Sequence, residues 1–490
     1  MGVSVKKLLT LLLSTLVVTG CAQSTEFGEV SSSIRDSQEM QAETDTSQPS
    51  VESEAADTDE NRVLEADEPS EEEPVERVES TSAPVAYEFS SELVDDEICK
   101  LEEDSYPRRT WADVPATGFP LNTYGATVSQ FGTAKVKVVF LEWEDLRGTR
   151  EDYDYHVEEL TRANEFYRVV SEGKFGFDIS FEQEWILVDG SYQDSYFTDE
   201  MTDAGHNSAS RIQQRIDKFI AATDEKVDYS DVDVLFFGLP RAATVIESGG
   251  LHIFGDGGWV FGNTQEGTVL NIFAFGERVF DNIGQVKGWS WFAHEFGHVL
   301  KMPDLRDVSQ GMTPNMYQNS PMYGFDIMDN QDSGTQGLSG WMKWLQGWLD
   351  DSQVTCVDAA TVEEEFYRLD EANIVGGENE MLVVRLSDTK ALIVESRRWD
   401  SRFDRPISRS RDGVIVYRLD TTRGHEEGPL RLLSPRDITQ YLSQENVWPD
   451  WRVLDVILFE GDSVNFDGIT VQVERLSDEG DVVLITTSRS

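Results

Sequence analysis

Residues 291–305 carry side chains whose types and spacing suit a metal ion. His294, Glu295 and His298 follow the order H-E-x-x-H. On a helix, His294 and His298 lie one turn apart on the same face, so both imidazoles can reach a single Zn²⁺. Glu295 is not a ligand in this pattern, but it lies close enough to take a proton from a water on the metal. The spacing therefore predicts a zinc site with Glu295 as the catalytic base.

A zinc ion that hydrolyses amides commonly has three protein ligands and one open position. Asp304 is the predicted third ligand. Pro303 disfavours helical backbone at Met302, so the helix should end just past Leu300 and the chain can turn back toward the metal. The order H-E-x-x-H-x-x-x-x-x-D matches the metzincin-type layout. An acid directly after a helix, as Asp304 is, often serves only as a solvated turn residue, so Asp307 remains an alternative ligand.

Three motifs resemble those of the immune inhibitor A family of secreted zinc metallopeptidases. They are His294-Glu-Phe-Gly-His-Val-Leu-Lys-Met-Pro-Asp-Leu305, Gly324-Phe-Asp-Ile-Met-Asp329 and Leu338-Ser-Gly-Trp-Met-Lys-Trp-Leu-Gln-Gly-Trp348. They occur in the family's order with similar spacing, and weaker resemblance extends from about Gly132 to the C-terminus. The resemblance implies a protease of the H-E-x-x-H-x-x-G-x-x-D type.

The resemblance also implies residue roles, with His294, His298 and Asp304 as zinc ligands and Glu295 as the base. One position departs from the family pattern, because Lys301 stands where the family usually has Gly. If that position has a positive φ, Lys costs about 1 kcal/mol there. This departure favours the rival hypothesis, a catalytically weak or inactive surface protein that uses a β-sandwich to bind protein or glycan.

Residues 1–21 are predicted to be a lipoprotein signal peptide. Lys6 and Lys7 precede an apolar run over residues 8–18, which is too short for a comfortable membrane span. Val18-Thr-Gly-Cys21 resembles a bacterial lipobox, in which the cysteine is acylated and becomes the mature N-terminus. Lipid on Cys21 would tether the protein to the extracellular face of the cell envelope. Cleavage without acylation would instead give a freely secreted protein.

Residues 22–86 are predicted to be a disordered acidic linker, because Glu, Ser, Asp, Thr and Pro cannot bury enough apolar surface to offset the entropy of ordering. A self-repelling spacer is favoured over an interaction tail. The whole chain has a formal net charge of −51. This charge argues against nucleic acid as a partner. It is compatible with structural Ca²⁺ as well as with solubility outside the cell.

Residues 87–350 are predicted to form an α+β zincin-type metalloprotease domain. Apolar periodicity predicts strands at 135–141, 175–181, 232–237, 251–254 and 269–275, helices at 156–171 and 212–220, and a closing helix at 339–348. The alternation of strand and helix that leads into the zinc helix is typical of the upper half of a zincin. An exposed sheet edge over the cleft could pair with an extended peptide.

Residues 351–490 are predicted to form an all-β sandwich domain. Short strands are expected at 381–386, 391–396, 414–419, 469–474 and 482–487, separated by Gly and Asp turns. Such a module would bind substrate, support the catalytic domain, or do both. If Cys21 is lipidated, Cys99 and Cys356 remain as an even pair, which predicts a disulfide outside the cell.

Four further residues are candidates for the site. Met328 either forms a Met-turn beneath the metal or is an ordinary core residue. Tyr317 and Tyr323 could donate to an oxyanion, although loop aromatics are the commoner case. His252 is more often a structural histidine than a group on the substrate side. Together the patterns predict a membrane-tethered extracellular zinc endopeptidase that cleaves protein or peptide substrates.

Overall fold

The computed structural model of this 490-residue chain describes the following residues: 87–90, 95–104, 116–123, 126–196, 209–244, 246–249, 260–282, 286–309, 319–331, 337–372, 376–398, 403, 412–437 and 456–488. Residues Phe89–Ser490 belong to one compact unit. The predicted signal peptide, lipobox and linker lie outside the described residues, as do His252 and Tyr317. Within the described residues, no helix has the length and apolar character needed to cross a membrane.

The protein is mixed α/β, with several sheets and few helices. Its first sheet has the strand order β2-β1-β3-β7-β4 and is parallel except for β4, which lies antiparallel at the edge. A separate ribbon pairs β5 with β6. The strands are β1 (Gly132–Glu142), β2 (Phe175–Leu187), β3 (Val234–Gly238), β4 (Ile246–Gly249), β5 (Gly262–Asn263), β6 (Thr268–Val269) and β7 (Asn271–Phe275).

The helices are α1 (Arg150–Val170), α2 (Tyr192–Tyr196), α3 (Ala209–Thr223), α4 (Gly288–Val299) and α5 (Gly340–Leu345), with 3₁₀ turns at Asp96–Cys99, Glu277–Asn282 and Asp351–Gln353. Helix α1 starts six residues earlier than predicted, because Thr149 and Asp152 form a capping box. Helix α4 packs against α1, where the Tyr167 hydroxyl donates to the Ala293 carbonyl at 2.5 Å. Its aromatic side chains Phe292 and Phe296 pack on the first sheet.

Two further sheets follow in the C-terminal part of the chain. One has the order β13-β12-β11-β10-β8 and the other the order β14-β15-β16-β9; every pairing is antiparallel except β8 with β10. Their strands are β8 (Val354–Asp358), β9 (Glu364–Leu369), β10 (Met381–Arg385), β11 (Lys390–Arg397), β12 (Gly413–Asp420), β13 (Leu430–Leu432), β14 (Ser463–Phe466), β15 (Ile469–Arg475) and β16 (Asp481–Thr487).

The five-stranded C-terminal sheet is buried on both faces. Leu382, on one face, belongs to the core that this sheet shares with the four-stranded sheet. The next residue, Val383, belongs instead to the core that contains α4 and α5. The Tyr417 hydroxyl on this second face accepts a hydrogen bond from the Trp341 backbone N–H at 3.3 Å. Burial on both faces explains the continuous apolar runs in these strands.

A disulfide joins Cys99 to Cys356, as predicted, and links the first 3₁₀ turn to β8. The predicted boundary between residues 350 and 351 therefore runs through a region that a covalent bond and a common core both cross. The two parts have separate sheets and each has a core cluster of its own, but they also share the core that contains α4 and α5.

This shared core predicts that residues 87–350 do not fold by themselves. Removal of residues 351–490 exposes the apolar surfaces of α4 and α5 and leaves Cys99 unpaired. We expect the fragment 87–350 to show no cooperative thermal transition and to retain no metal. The longer protein 87–490 should unfold in a cooperative transition and should retain metal. Calorimetry and metal analysis of the two proteins test this. A cooperative transition of the short fragment near the temperature of the longer one would contradict it.

Candidate metal centre

Helix α4 brings His294 and His298 to one face, as the spacing predicts. Their side chains are only 7% and 8% exposed, and their ring centroids lie 4.9 Å apart. Glu295 follows His294 on the same turn and is half-buried. Among the described residues, no side chain forms a hydrogen bond or ion pair with the Glu295 carboxylate, so this group can still act on a bound molecule.

A backbone carbonyl fixes the orientation of each imidazole. His294 Nδ1 lies 2.8 Å from the Ile327 carbonyl oxygen, and His298 Nδ1 lies 2.9 Å from the Met302 carbonyl oxygen. A carbonyl can only accept, so in the neutral rings Nδ1 carries the proton and Nε2 has the lone pair. Both Nε2 atoms face Asp304. Carbonyl groups that hydrogen-bond the ring nitrogen away from the metal orient histidines in this way in metal sites.

The end of α4 turns the chain back toward the two histidines. Leu300 is the C-cap and Lys301 has a φ of 68°. The Lys301 N–H donates to the His298 carbonyl at 3.0 Å, and the Met302 N–H donates to the Gly297 carbonyl at 2.9 Å. These two bonds are those of a Schellman cap, which requires left-handed backbone at the residue where Lys301 stands. The conditional expectation of a positive φ there is confirmed.

The turn places Asp304 beside both imidazoles. Its Oδ1 lies 3.2 Å from His294 Nε2 and its Oδ2 lies 3.7 Å from His298 Nε2. In a tetrahedral zinc site with bonds of about 2.0–2.1 Å, neighbouring ligand atoms are about 3.3 Å apart. Asp304 Oδ1 is buried and has no hydrogen-bond partner among the described residues. A metal ion would satisfy this oxygen, so the donor set fits zinc in spacing and in chemistry.

Electrostatics also favour a cation here. Burial raises the pKa of Asp304, but the Arg306 guanidinium, 3.1 Å from Oδ2, and the two histidines outweigh burial and hold that pKa well below its usual range. Burial lowers the pKa of His294, yet the Asp304 carboxylate outweighs burial and raises it. The raised pKa of His294 indicates that the Asp304 carboxylate stabilises a positive charge beside it, and the lowered pKa of Asp304 indicates that its surroundings keep this carboxylate ionised, the form that binds a metal ion.

The segment around Met328 supports the site from below. The Ile327 carbonyl orients His294, and the Met328 carbonyl accepts from the Leu305 N–H at 3.0 Å. A Cβ added to Gly297 would lie 2.6 Å from Met328 Sδ, so the thioether fills the space beside the helix between the two histidines. Met328 therefore has a packing role. Tyr323 is buried in the same core.

Two residues of the β12–β13 connection complete the surroundings of Asp304. The Asp304 N–H donates to His425 Nδ1 at 3.0 Å, and the Glu426 N–H donates to the Asp304 carbonyl at 2.9 Å. Gly428 has a φ of 61°, and a Cβ there would lie 2.8 Å from the Asp307 Cβ.

His425 was not predicted from the sequence, because it is 121 residues from Asp304. The scarcity of histidine, six in the chain, is the one signal that could have drawn attention to it.

Asp307 does not approach the two histidines. Its carboxylate lies 2.7 Å from Arg431 and 3.4 Å from Arg423, and it also accepts from the Ser309 hydroxyl. These contacts tie β13 and the β12–β13 connection to the segment that carries Asp304, so Asp307 is not merely a solvated turn residue. The structure thus brings Asp304, and not Asp307, to the imidazoles.

No family model matches the chain, and no curated protein matches it either. The resemblance to the immune inhibitor A family therefore rests on the three motifs. Among the described residues, two groups of candidate ligands occur: His294 with His298 and Asp304, and Asp304 with His425 and Glu426. Both groups include Asp304, so among the described residues neither forms a separate site for structural Ca²⁺. The structural Ca²⁺ that the composition allows therefore stays a prediction.

The geometry predicts that Asp304 and Asp307 respond differently to substitution. Asp304→Ala removes one of three candidate ligands, so zinc affinity should fall by at least about 100-fold. Substitution of a residue that only hydrogen-bonds a ligand already lowers metal affinity by about 10–100-fold. Asp307→Ala should retain zinc and cost about 1 kcal/mol or less, since its ion pairs are partly exposed. Zinc competition titrations and urea unfolding measure both effects. Zinc loss in Asp307→Ala with retention in Asp304→Ala would reverse the assignment.

The helix cap predicts the effect of the unusual lysine. Lys301→Gly should be more stable than Lys301→Ala by about 1 kcal/mol, because only glycine is relaxed at this positive φ. Both variants remove the same buried side chain, so their difference isolates the backbone term. Urea unfolding of the pair provides the measurement. Equal stability would show that the cap does not strain a residue with a Cβ.

Proposed function

We propose that this protein is a zinc-dependent endopeptidase with a zincin-type α+β domain over residues 87–350 and a β-sandwich over residues 351–490. The observation that carries the proposal is the buried cluster of His294, His298 and Asp304. Its two Nε2 lone pairs and one unsatisfied carboxylate oxygen meet at distances that suit a tetrahedral metal. Glu295, the usual base in this motif, is adjacent in the same helix.

The chemistry that zinc supplies when bound is Lewis acidity, which polarises a carbonyl and lowers the pKa of water. The chain's own residues do the rest. Glu295 accepts a proton from the attacking water as the C–O bond forms, and it then donates that proton to the amine nitrogen as the C–N bond of the peptide breaks. His294, His298 and Asp304 fix the position at which this occurs, and their backbone partners prevent the rings from rotating.

The first sheet supports a peptide as the substrate. Strand β4 is antiparallel and terminal in that sheet, and among the described residues it pairs only with β7. An extended peptide can add to such an edge through main-chain hydrogen bonds, which give affinity without strict sequence preference. This arrangement suits an enzyme that cleaves varied protein substrates.

The proposed location is the extracellular face of the cell envelope. Lipid on Cys21 would provide the anchor, and residues 22–86 would form a spacer between the membrane and the enzyme. The disulfide between Cys99 and Cys356 supports an oxidising compartment, because such bonds persist mainly outside the cytosol.

The rival function is that of a surface protein without turnover. Lys301 was the feature that favoured it, but this lysine adopts the left-handed φ that the cap requires, and Asp304 still reaches the histidines. The departure from glycine therefore does not open the site. The β-rich region also supplies support to Asp304, which gives it a structural task apart from binding protein or glycan.

The proposal predicts that zinc-loaded 87–490 hydrolyses casein and that a chelator abolishes this hydrolysis. Glu295→Gln should bind zinc as the wild type does, because Glu295 is not a ligand, yet lose about 10²–10⁴-fold in turnover. Release of fluorescent peptides and zinc analysis are the measurements. Asp307→Ala, which keeps the ligands and the base, serves as the matched control.

One result would refute this function, and a second would refute only the proposed role of Glu295. Stoichiometric zinc with no hydrolysis of casein or gelatin would favour the surface binding protein. Turnover in Glu295→Gln close to that of the wild type would remove Glu295 from the mechanism while leaving the peptidase assignment intact.

A further inference from the structure

The two oxygens of the Asp304 carboxylate have different surroundings. Oδ1 lies 3.2 Å from His294 Nε2, is buried, and accepts no hydrogen bond from any residue that the structure describes. Oδ2 lies 3.1 Å from the Arg306 guanidinium and 3.7 Å from His298 Nε2. One oxygen is therefore open to a metal ion, whereas the other already faces a positively charged donor.

The backbone around Arg306 keeps the guanidinium beside Oδ2. The preceding N–H, that of Leu305, donates to the Met328 carbonyl at 3.0 Å. The Arg306 carbonyl itself accepts from the Gly428 N–H at 2.9 Å. The Met328 segment and the β12–β13 turn thus hold the chain from two sides. Because the side chain is only 23% exposed, solvent competes little with the carboxylate for its donors.

The Arg306 nitrogen that faces Asp304 has a second carboxylate nearby. Nη2 lies 3.8 Å from Glu426 Oε1, which is beyond hydrogen-bonding distance, so Asp304 Oδ2 is the nearer acceptor of the two. A guanidinium has donors but no acceptor, and it keeps its proton in proteins. Asp304 Oδ2 therefore faces a fixed positive charge, whether or not a metal ion is bound at Oδ1.

The number of oxygens that Asp304 gives to a metal decides what the site can do. A catalytic zinc site commonly has three protein donors and one open position, whereas four protein donors give a closed, structural site. Two imidazole nitrogens and one carboxylate oxygen make three donors. A second oxygen from Asp304 would make four and would fill the open position. An oxygen that accepts from a guanidinium is a weaker metal donor, so Arg306 favours the site with three donors.

We propose that Arg306 is a positioning residue that makes Asp304 bind zinc through Oδ1 alone and thereby preserves the open position. This inference rests on the proposed function, because it concerns the metal site of the proposed peptidase. The competing role is that Arg306 only neutralises the buried charge of Asp304. The two roles differ in one measurable respect, since only the first decides which carboxylate oxygens contact the metal.

Crystal structures of the zinc-loaded full-length protein measure these contacts directly. In the wild type we expect one oxygen of Asp304, Oδ1, at about 2.0–2.2 Å from the zinc. Oδ2 should stay on Arg306, outside bonding distance of the metal. Arg306→Met removes the donor and keeps an unbranched side chain, so in this variant both oxygens should lie within bonding distance of the zinc.

A binding measurement in solution reports the open position without turnover. Acetohydroxamate needs that position to chelate zinc, so calorimetry should show at least about tenfold weaker binding to zinc-loaded Arg306→Met. Arg306→Lys keeps a charge and a donor, and it should recover part of the affinity. Arg431→Met is the matched control, because Arg431 pairs with Asp307, which the structure keeps away from the histidines. Its acetohydroxamate affinity should stay within about twofold of the wild type.

These measurements also define the results that would overturn the proposal. They are a wild-type zinc bound by both oxygens of Asp304, an Oδ2 that stays outside bonding distance in Arg306→Met, and unchanged acetohydroxamate binding in that variant. A new zinc contact from Glu426 instead of Oδ2 would also overturn it. So would a folded Arg306→Met that no longer binds zinc, because Arg306 would then serve only to hold Asp304 in place.

The wild-type structure keeps the proposal testable if Arg306→Met does not fold. The proposal then requires a zinc contact from Oδ1 alone, with Oδ2 on the guanidinium, and any other arrangement overturns it.

This proposal and the proposed function can fail separately. If no protein substrate is cleaved but removal of Arg306 brings Oδ2 to the zinc, the peptidase assignment fails and the positioning role survives. If casein is cleaved by a wild type whose zinc contacts both oxygens of Asp304, the positioning role fails and the peptidase assignment survives.

Discussion

The buried carboxylate of Asp304 is the group on which the rest of this site depends. A charge that is only 3% exposed is unfavourable unless other groups compensate it. Here the compensation comes from Arg306 and from a positive charge between Asp304 and the two imidazoles, which a proton on a ring or a bound metal ion can supply. The helix cap, the Met328 segment and the β12–β13 turn all position this one side chain or the rings that face it. The local architecture is therefore best understood as a means of keeping a carboxylate ionised inside the protein.

The sequence predicted the parts of this site that depend on local rules. Two histidines four residues apart must share a helix face, and Pro303 must end a helix near Leu300. The helix does end at Val299, and Asp304 does return to the imidazoles. Most of the predicted strands agree with the observed bounds to within three residues, because their apolar runs are strong local signals. Strand β2 is an exception, since it continues to Leu187, and β4, β5, β8, β9, β13 and β14 were not predicted. The predicted strand at 251–254 lies outside the described residues. Helix α1 was placed too late, since the capping box formed by Thr149 and Asp152 was overlooked.

The remaining features arise from long-range packing that no local pattern encodes. His425 meets Asp304 only because the five-stranded sheet packs against α4 and α5, which places the β12–β13 turn above the ligand segment. The same packing explains the role of Asp307, whose partner Arg431 is 124 residues away. A strand that is buried on both faces has one continuous apolar run in its sequence. The run indicates burial, but it does not indicate which of two cores each face joins.

Two of the candidate ligands lie on α4, and the third, Asp304, lies on a segment that pairs with the β12–β13 turn. This division couples metal binding to the docking of the turn. His294 and His298 come from one helix and have their orientation fixed by nearby carbonyls, so this half of the site forms with α4. Asp304 reaches its place when the segment after the helix pairs with the β12–β13 turn. A metal that binds all three ligands favours the state in which the turn is docked, by the linkage between ligand binding and a conformational equilibrium. Under the proposed function, metal binding and the docking of the β12–β13 turn would therefore stabilise one another, although the helix histidines and the turn belong to different elements and distant stretches of the chain.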